Sequence, residues 1–329
     1  MKVQDFTNYA SGNPGYVLVT PAHNEEQTID ATVKSITEQT LKPTRWIIVS
    51  DGSTDRTDEI VRDAAQSFPF IRYVRRERAE IRNFSSKVLA IRTGLQSLTQ
   101  SVYDFIGFLD ADITLDRGFC QTVCERMLAN PSQGVGGGAV YEKARGRWQL
   151  VRSSYAASVS GMMQMFRREC YQQIGGYLPL PLGGIDMMAE VMARMHGWTV
   201  MSFMDVHVHH HQRMGRTHGK WYRALFRRGR MEYANGYHPL FQCGRFLTWA
   251  ICEQPIVVAA VLRTAGYFWA TLRQEPVAVP DPVIAYLRRE QMSRVAGSLR
   301  WQRLLPALRP SQERRCGPSK PGAGVRRGD

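Results

Sequence analysis

Two carboxylates that directly follow an apolar run are the residues of this chain best placed to do chemistry. The run Phe105–Leu109 has the pattern of a buried strand, and Asp110 and Asp112 come immediately after it. Charge at the end of a buried strand is costly unless something compensates for it. Carboxylate oxygens are the ligands that magnesium prefers, usually together with substrate phosphates. The pair therefore indicates a site for a divalent metal and a diphosphate, with an ordinary solvated strand end as the alternative.

Two earlier apolar segments end in similar polar loops. Tyr16–Thr20 leads into Pro21-Ala-His-Asn-Glu-Glu26, and Trp46–Ser50 leads into Asp51-Gly-Ser-Thr-Asp55. Helical periodicity lies between these segments, which predicts an α/β fold with a mostly parallel central sheet and helices on both faces. The carboxyl ends of parallel strands meet at one edge of the sheet, where such folds bind ligands. We therefore expect the three polar loops to build one nucleotide-sized crevice.

These loops and the motifs after them resemble the family 2 glycosyltransferases, which have the nucleotide-diphospho-sugar-binding fold called GT-A. The resemblance covers the first two-thirds of the chain and rests on six motifs in family order: Thr20–Glu26, Asp51–Asp55, Ser86-Lys87, Leu109–Asp112, Met165-Phe-Arg-Arg168 with Ile174-Gly-Gly-Tyr177, and Gly183-Gly-Ile-Asp186. It implies a GT-A domain over residues 13–240. The apolar stretch that follows predicts a helical extension over 241–305, and the Pro, Gly, Ser and Arg content of 306–329 predicts a disordered basic tail.

The resemblance also assigns roles in donor binding. Pro21, Ala22 and Glu25 would contact the nucleoside, Asp51 would bind the nucleobase, and Lys87 would reach the nucleotide. Asp110 would bind the ribose or the metal's water ligands, and Asp112 would coordinate magnesium or manganese directly. Two of these assignments have simpler alternatives. A carboxylate such as Asp51 after a strand could only cap a helix, and Lys87 could be a solvated lysine. Arg92 stands where the family commonly has asparagine.

The candidate general base is Asp186. The family often has Glu-Asp here, and Ile185 replaces the glutamate while the aspartate remains. The preceding Gly183-Gly184 would let the backbone pass close to a bound sugar. The alternative is a structural helix cap, because aspartate is a favoured N-cap residue.

Four histidines lie near the end of the region covered by the family: His207, His209, His210 and His211. Side chains alternate along an extended segment, so His209 and His211 would face one way and His210 the other. Some GT-A enzymes take a third metal ligand from this region. We assign that role to His209, with His211 as the other candidate and a hydrogen-bonded loop histidine as the simpler interpretation.

Together these assignments predict a metal-dependent, inverting glycosyltransferase. It would move one sugar from a nucleotide-diphospho-sugar to a hydroxyl acceptor (a glycan, a lipid-linked acceptor or a small molecule) in cell-envelope glycan biosynthesis. The Gln-x-x-Arg-Trp motif of polymerising members is absent after Trp221, which favours a non-processive enzyme. The alternative is a non-catalytic nucleotide-sugar-binding relative. Dehydrogenases and nucleotidylyltransferases need a glycine-rich loop where this chain has Thr20–Glu25, so the sequence disfavours both classes.

Composition sets the remaining expectations. The 329 residues are 43% hydrophobic, enough for a large core. The net charge of +14 indicates anionic partners, with a solvated basic face as the alternative. Nucleic acid is not expected, because no binding module accompanies the charge. The apolar stretch 256–272 contains Arg263, which favours an interfacial or partly buried helix over a bilayer span. With no secretory signal at Met1, we expect a cytoplasmic protein that is either free or peripheral on the anionic inner face of the cytoplasmic membrane.

Overall fold

The computed structural model describes residues 14–77, 84–98, 102–144, 146–151, 156–211, 221–252 and 257–304. Its strands are β1 Tyr16–Ala22, β2 Arg45–Asp51, β3 Ile71–Arg76, β4 Phe105–Leu109, β5 Ile113–Leu115, β6 Gln133–Ala144, β7 Arg147–Leu150, β8 Met163–Arg167 and β9 Thr199–His210. Its helices are α1 Ile29–Thr37, α2 Thr57–Ser67, α3 Ser85–Gln96, α4 Phe119–Ala129, α5 Arg168–Gln173, α6 Ile185–Met195, α7 Trp221–Ala234, α8 Pro239–Cys252, α9 Val258–Leu272 and α10 Asp281–Leu304.

In the described part of the chain the strands form one sheet, in the order β3-β2-β1-β4-β8-β6-β9-β5, with β7 paired to β6. Strands β3, β2, β1 and β4 are parallel, as the strand and helix alternation predicted. Strand β8 then joins β4 and β6 antiparallel, while β9 is parallel to β6. The sheet is therefore mixed. The apolar pattern of a strand does not specify the direction of its neighbour, so the antiparallel pairings could not be predicted from it.

Helices cover both faces of the sheet because β1 alternates two buried sets of side chains. Tyr16 and Leu18 face a core shared with α1, α2 and α4. Val17 and Val19 face a second core shared with α3, α5 and α6. All four of these side chains are fully buried. The α/β class and the GT-A architecture expected from the motifs are confirmed.

The C-terminal helices pack on the rest of the fold. Val283 and Leu287 of α10 are buried in the second core, and Arg194 of α6 donates a hydrogen bond to Glu290 at 2.8 Å. Arg263 of α9 is buried and ion-paired with Glu232 of α7. No helix in the described residues is long and apolar enough to cross a bilayer. The predicted tail over 306–329 lies outside the described residues.

Candidate functional site

The loops after β1 and β2 are joined by hydrogen bonds. Pro21 and Ala22 end β1 beside Val49 and Ser50 of β2. The ring Nδ1 of His23 donates to the carbonyl oxygen of Asp51 at 2.8 Å. Such bonds hold the ends of the two strands at one edge of the sheet.

Glu25 lies in the first of these loops and faces the carboxylates that follow β4. Its backbone N–H donates to Thr57 Oγ1 at 2.8 Å, and its side chain accepts from Thr28 Oγ1 at 3.0 Å. Burial, followed by the charge of Asp112 and then that of Asp110, raises the pKa of Glu25 to about 7. The loop after β1 therefore lies close enough to the loop after β4 for their carboxylates to interact, as their positions in the sequence indicated.

The carboxylate of Asp51 is buried at the end of β2 and forms an ion pair with Arg76, its register partner on β3. It does not cap α2, which begins at Thr57. The sequence interpretation missed Arg76. Arg76 could have been recognised as the positive charge opposite Asp51, but only once the register between β2 and β3 is known.

Lys87, Asp110 and Asp186 meet around Gly161. The ammonium group of Lys87, in the first turn of α3, donates to Asp110 Oδ1 and to the Gly161 carbonyl oxygen. A Cβ atom added at Gly161 would lie 2.6 Å from Asp186 Oδ2, so only glycine leaves room for that carboxylate. Burial raises the pKa of Asp110 against the opposing charge of Lys87, and Asp112 and Asp186 add to the rise.

Asp186 lies in the first turn of α6. The residue that caps this helix is Gly184, with φ of 84°, and Gly183 before it has φ of 106°. Both glycines adopt the left-handed region that other residues avoid. The turn places Asp186 beside Gly161, and the N-cap position belongs to Gly184.

Glu190 lies one turn after Asp186 on the same helix and was missed by the sequence interpretation. Its carboxylate accepts hydrogen bonds from Val159 N–H at 2.7 Å and from Ser158 Oγ at 3.1 Å. Burial raises the pKa of Glu190 to about 7, although these hydrogen bonds and Arg194 oppose the rise. Glu190 thereby attaches α6 to the segment that carries Gly161. Its spacing of four residues from Asp186 was the available signal.

His210, and not the predicted His209, is the histidine that contacts Asp112. The Nε2 atom of His210 is 3.0 Å from Asp112 Oδ2, and its Nδ1 atom is 3.1 Å from Glu142 Oε1. Burial disfavours the charged ring, but the hydrogen bonds and charges of Asp112 and Glu142 outweigh it and raise the pKa of His210. Because the side chains of β9 alternate, His209 faces the other way and contacts Asp116 at 3.1 Å.

Asp112 and His210 suit a divalent cation. Metal-binding histidines usually donate their second ring N–H to a carboxylate, which fixes the ring orientation. Glu142 stands in that position when Nε2 of His210 is the ligand atom. Asp112 Oδ2 and His210 Nε2 are 3.0 Å apart and are therefore within reach of one ion.

A second group of possible ligands lies on the other face of β9. One ligand atom from each of Asp116, His207 and His209 lies within 4.8 Å of the others. Asp116 accepts from both imidazoles, at 3.0 Å from His207 and 3.1 Å from His209, which is sufficient to explain the arrangement without an ion.

The chain resembles known proteins in sequence and in fold. The sequence profile described as "Glycosyl transferase family 2" matches residues 17–182. Poly-beta-1,6-N-acetyl-D-glucosamine synthase of Staphylococcus aureus strain COL is 22% identical over 197 residues, which are 54% of this chain and 44% of that protein. Glycosyltransferase GlyA of Streptococcus pneumoniae is 25% identical over 111 residues, which are 34% of this chain and 15% of that protein. The chain thus spans less than half the length of these relatives.

Two solved structures share the fold. The mannosyltransferase PcManGT of Pyrobaculum calidifontis, solved with GDP-Man and Mn²⁺, has a TM-score of 0.52 and 17% identity, over 87% of this chain and 81% of its own. Residues 1–349 of S. aureus TarS, solved with UDP-GlcNAc, have a TM-score of 0.52 and 14% identity, over 86% of this chain and 92% of that one. At these identities the likeness concerns the fold.

Proposed function

Because the chain belongs to the family 2 glycosyltransferases, we propose that it transfers one sugar from a nucleotide-diphospho-sugar to a hydroxyl acceptor, with inversion and with a divalent metal. The observation that carries the proposal is the convergence of Asp110, Asp112 and Asp186 at the carboxyl edge of the parallel strands. Asp110 and Asp186 lie on either side of Lys87 and Gly161, and Asp112 contacts His210.

The donor nucleotide would lie along the ends of β1 and β2. Pro21, Ala22 and Glu25 line the nucleoside side. Asp51, oriented by Arg76, accepts a hydrogen bond from the base. Lys87 has its ammonium group beside Asp110, and it would contact the diphosphate.

Magnesium or manganese would be held by Asp112 and Nε2 of His210, with Asp110 holding the ribose or the metal's water ligands. Glu142 keeps the ring of His210 oriented through Nδ1. Such a cation neutralises the charge that develops on a departing nucleotide diphosphate. His210 takes the role that the sequence pattern assigned to His209.

Asp186 would act as the base in a single displacement. Its carboxylate takes the proton of the acceptor hydroxyl while the oxygen forms the new glycosidic bond and the nucleotide diphosphate leaves from the opposite face of the sugar. One displacement inverts the anomeric centre. Gly161 gives the carboxylate room, and Glu190 holds the surrounding segment in place.

The cellular setting belongs to the same proposal. We place the enzyme in cell-envelope glycan biosynthesis, as a peripheral protein on the cytoplasmic face of the membrane. The name of the S. aureus relative, a poly-N-acetylglucosamine synthase, supports a role in making glycans. The net charge of +14 supports attraction to an anionic surface.

The proposal is tested with a panel of nucleotide sugars, with and without Mn²⁺, using thermal shift and nucleotide release as readouts. A bound ligand raises stability according to its concentration relative to Kd. We expect Mn²⁺-dependent stabilisation by one donor class, and we expect Asp112→Asn to abolish it together with nucleotide release. Asp116→Asn is the matched control, because it alters the carboxylate between His207 and His209, and it should behave like the parent.

Two results would contradict the proposal. If Asp112→Asn keeps the metal response and Asp116→Asn loses it, the metal binds the group around Asp116. If a donor binds but no acceptor or water ever receives the sugar, the chain is the non-catalytic relative.

A further inference from the structure

The outward face of α9 is mostly apolar. Its exposed residues are Val258, Val261, Ala265, Phe268, Trp269, Thr271 and Leu272, of which only Thr271 is polar. Trp269 is 47% exposed and Leu272 is 83% exposed. Contiguous exposed apolar surface of this kind marks a contact with a partner or a membrane.

The opposite face of α9 is locked onto α7, so the apolar face is held outward. Arg263 is buried and ion-paired with Glu232, which is only 1% exposed. Gly229 of α7 and Gly266 of α9 let the two helices approach until a Cβ on either would meet the backbone of the other helix. The charge of Arg263, which interrupts the apolar sequence, is therefore neutralised between the two helices and not on the outward face.

A cavity of about 530 Å³ lies beside this face. Its lining combines Arg223, Arg227 and Arg230 with Leu182, Phe226 and Leu262. Phe226 also contacts Trp269, with ring centroids 6.5 Å apart, so the cavity is continuous with the apolar face. The wall of the cavity is mostly apolar and three arginines lie along it, which matches a ligand that has both a hydrocarbon part and an anionic group.

The charge of the cavity is only partly balanced. Arg230 donates to Glu275 at 2.9 Å. Arg227 lies over the ring of Phe84 at 5.0 Å. In the described portions of the chain, no carboxylate pairs with Arg223 or Arg227. Guanidinium groups bind phosphate oxygens through paired N–H donors.

The cavity adjoins the turn that carries the proposed base. Leu182, one of its lining residues, precedes Gly183 and Gly184. Asn235, at the end of α7, donates to the Gly183 carbonyl oxygen at 3.2 Å. A molecule held in the cavity would thus lie on the Asp186 side of the site, where an acceptor belongs.

We propose that the acceptor is a lipid with a phosphate-bearing headgroup, bound in this cavity, and that the apolar face of α9 lies in the surface of an anionic membrane that presents it. This inference rests on the proposed function and adds the acceptor class. Arg223 and Arg227 contact the phosphate, while Leu262, Phe226 and Trp269 contact the hydrocarbon part. A shallow apolar helix with nearby basic residues binds a membrane reversibly.

Membrane binding is tested by flotation of the full chain with two kinds of vesicle. One kind is phosphatidylcholine alone, and the other also contains phosphatidylglycerol. We expect the protein to float only with the anionic vesicles. The double variant Val261→Glu with Trp269→Glu should not float with them. Arg223→Gln and Arg227→Gln should each weaken it about fivefold, the attraction of one basic residue to such a surface. Arg72→Gln, on the distant edge strand β3, is the charge-matched control and should not.

The acceptor cavity is tested with dodecyl phosphate below its micelle concentration, against dodecanol and inorganic phosphate. We expect only dodecyl phosphate to bind, and Arg227→Gln to weaken its binding while Arg72→Gln does not. Equal binding of inorganic phosphate would overturn the lipid assignment. Vesicle binding without dodecyl phosphate binding would overturn the acceptor assignment.

Two further measurements separate the remaining outcomes. Donor binding with Mn²⁺ is measured on the same samples. If the parent protein does not bind a donor, the proposed function is contradicted. If it binds a donor but does not float with the vesicles, only the lipid inference is contradicted. If Trp269→Glu converts a dimer to a monomer and leaves flotation unchanged, the apolar face binds a second copy of the chain and the inference is wrong.

Discussion

At the scale of single residues, the site depends on which side chain occupies each side of β9. His210 is buried between Asp112 and Glu142, whereas His209 contacts Asp116 on the other face. A shift of one residue in a strand reverses every side chain. Which histidine faces Asp112 therefore follows from the pairing of Ile113 with His210 in the β5–β9 ladder.

We expect His210→Asn to weaken Mn²⁺ binding by at least about tenfold, since losing even an orienting partner of a metal ligand costs that much. His209→Asn is the matched control, with the same chemical change one residue away, and should bind Mn²⁺ like the parent. Titration with Mn²⁺ in the presence of donor measures both variants. A larger loss in His209→Asn would return the assignment to His209.

Asp186 provides a second prediction at this scale. Asp186→Asn should leave donor affinity intact and lower turnover by about 10²–10⁴-fold, the usual contribution of a general base. Donor Kd and single-turnover rates measure the two effects separately. Asp205→Asn, an exposed carboxylate paired with Arg126, should change neither. Collapse of donor affinity at unchanged turnover per bound donor would make Asp186 a structural residue.

At the scale of elements, α6 is attached to the rest of the site through a carboxyl group whose environment favours the neutral form. Glu190 contacts Ser158 and Val159, just before the segment that carries Gly161. Its pKa is raised to about 7. A carboxyl whose pKa is higher in the folded than in the unfolded state destabilises the fold once it ionises.

The expected sign follows for Glu190→Gln. Below pH 4.5 the parent carboxyl is neutral in both states and the two proteins should have similar stability. As the pH rises from 4.5 through about 7, the parent should become less stable than the variant. The difference should reach about 3 kcal/mol by pH 8. Thermal unfolding across this range measures the difference, with Glu59→Gln on the surface as control. A variant less stable than the parent at pH 8 would contradict the prediction.

At the scale of the whole molecule, the C-terminal helices are part of the fold that carries the site. Leu287 of α10 is buried in the core that also contains Val17 and Val19 of β1. The predicted extension over 241–305 therefore shares buried residues with the predicted domain over 13–240.

Leu287→Ala tests this continuity. We expect it to lower the free energy of unfolding by about 2–5 kcal/mol, as for other buried leucines, in a single transition that includes loss of donor binding. Calorimetry with bound donor measures both. Val277→Ala, at an exposed position, is the control. Two separate transitions, with only the second abolishing donor binding, would show that the extension unfolds as an independent unit.

The sequence alone determined the α/β class, the three polar strand ends and the candidate carboxylates, because apolar runs, turn residues and short motifs are local in the chain. Tertiary structure decided what those residues contact. Arg76, Glu142 and Glu190 lie far in sequence from Asp51, His210 and Val159, and no local pattern relates them. Arg263 interrupted an apolar stretch in the sequence, and only the crossing of α7 and α9 showed that Glu232 balances its charge. Contacts between distant segments depend on strand register and helix packing, which are properties of the folded chain.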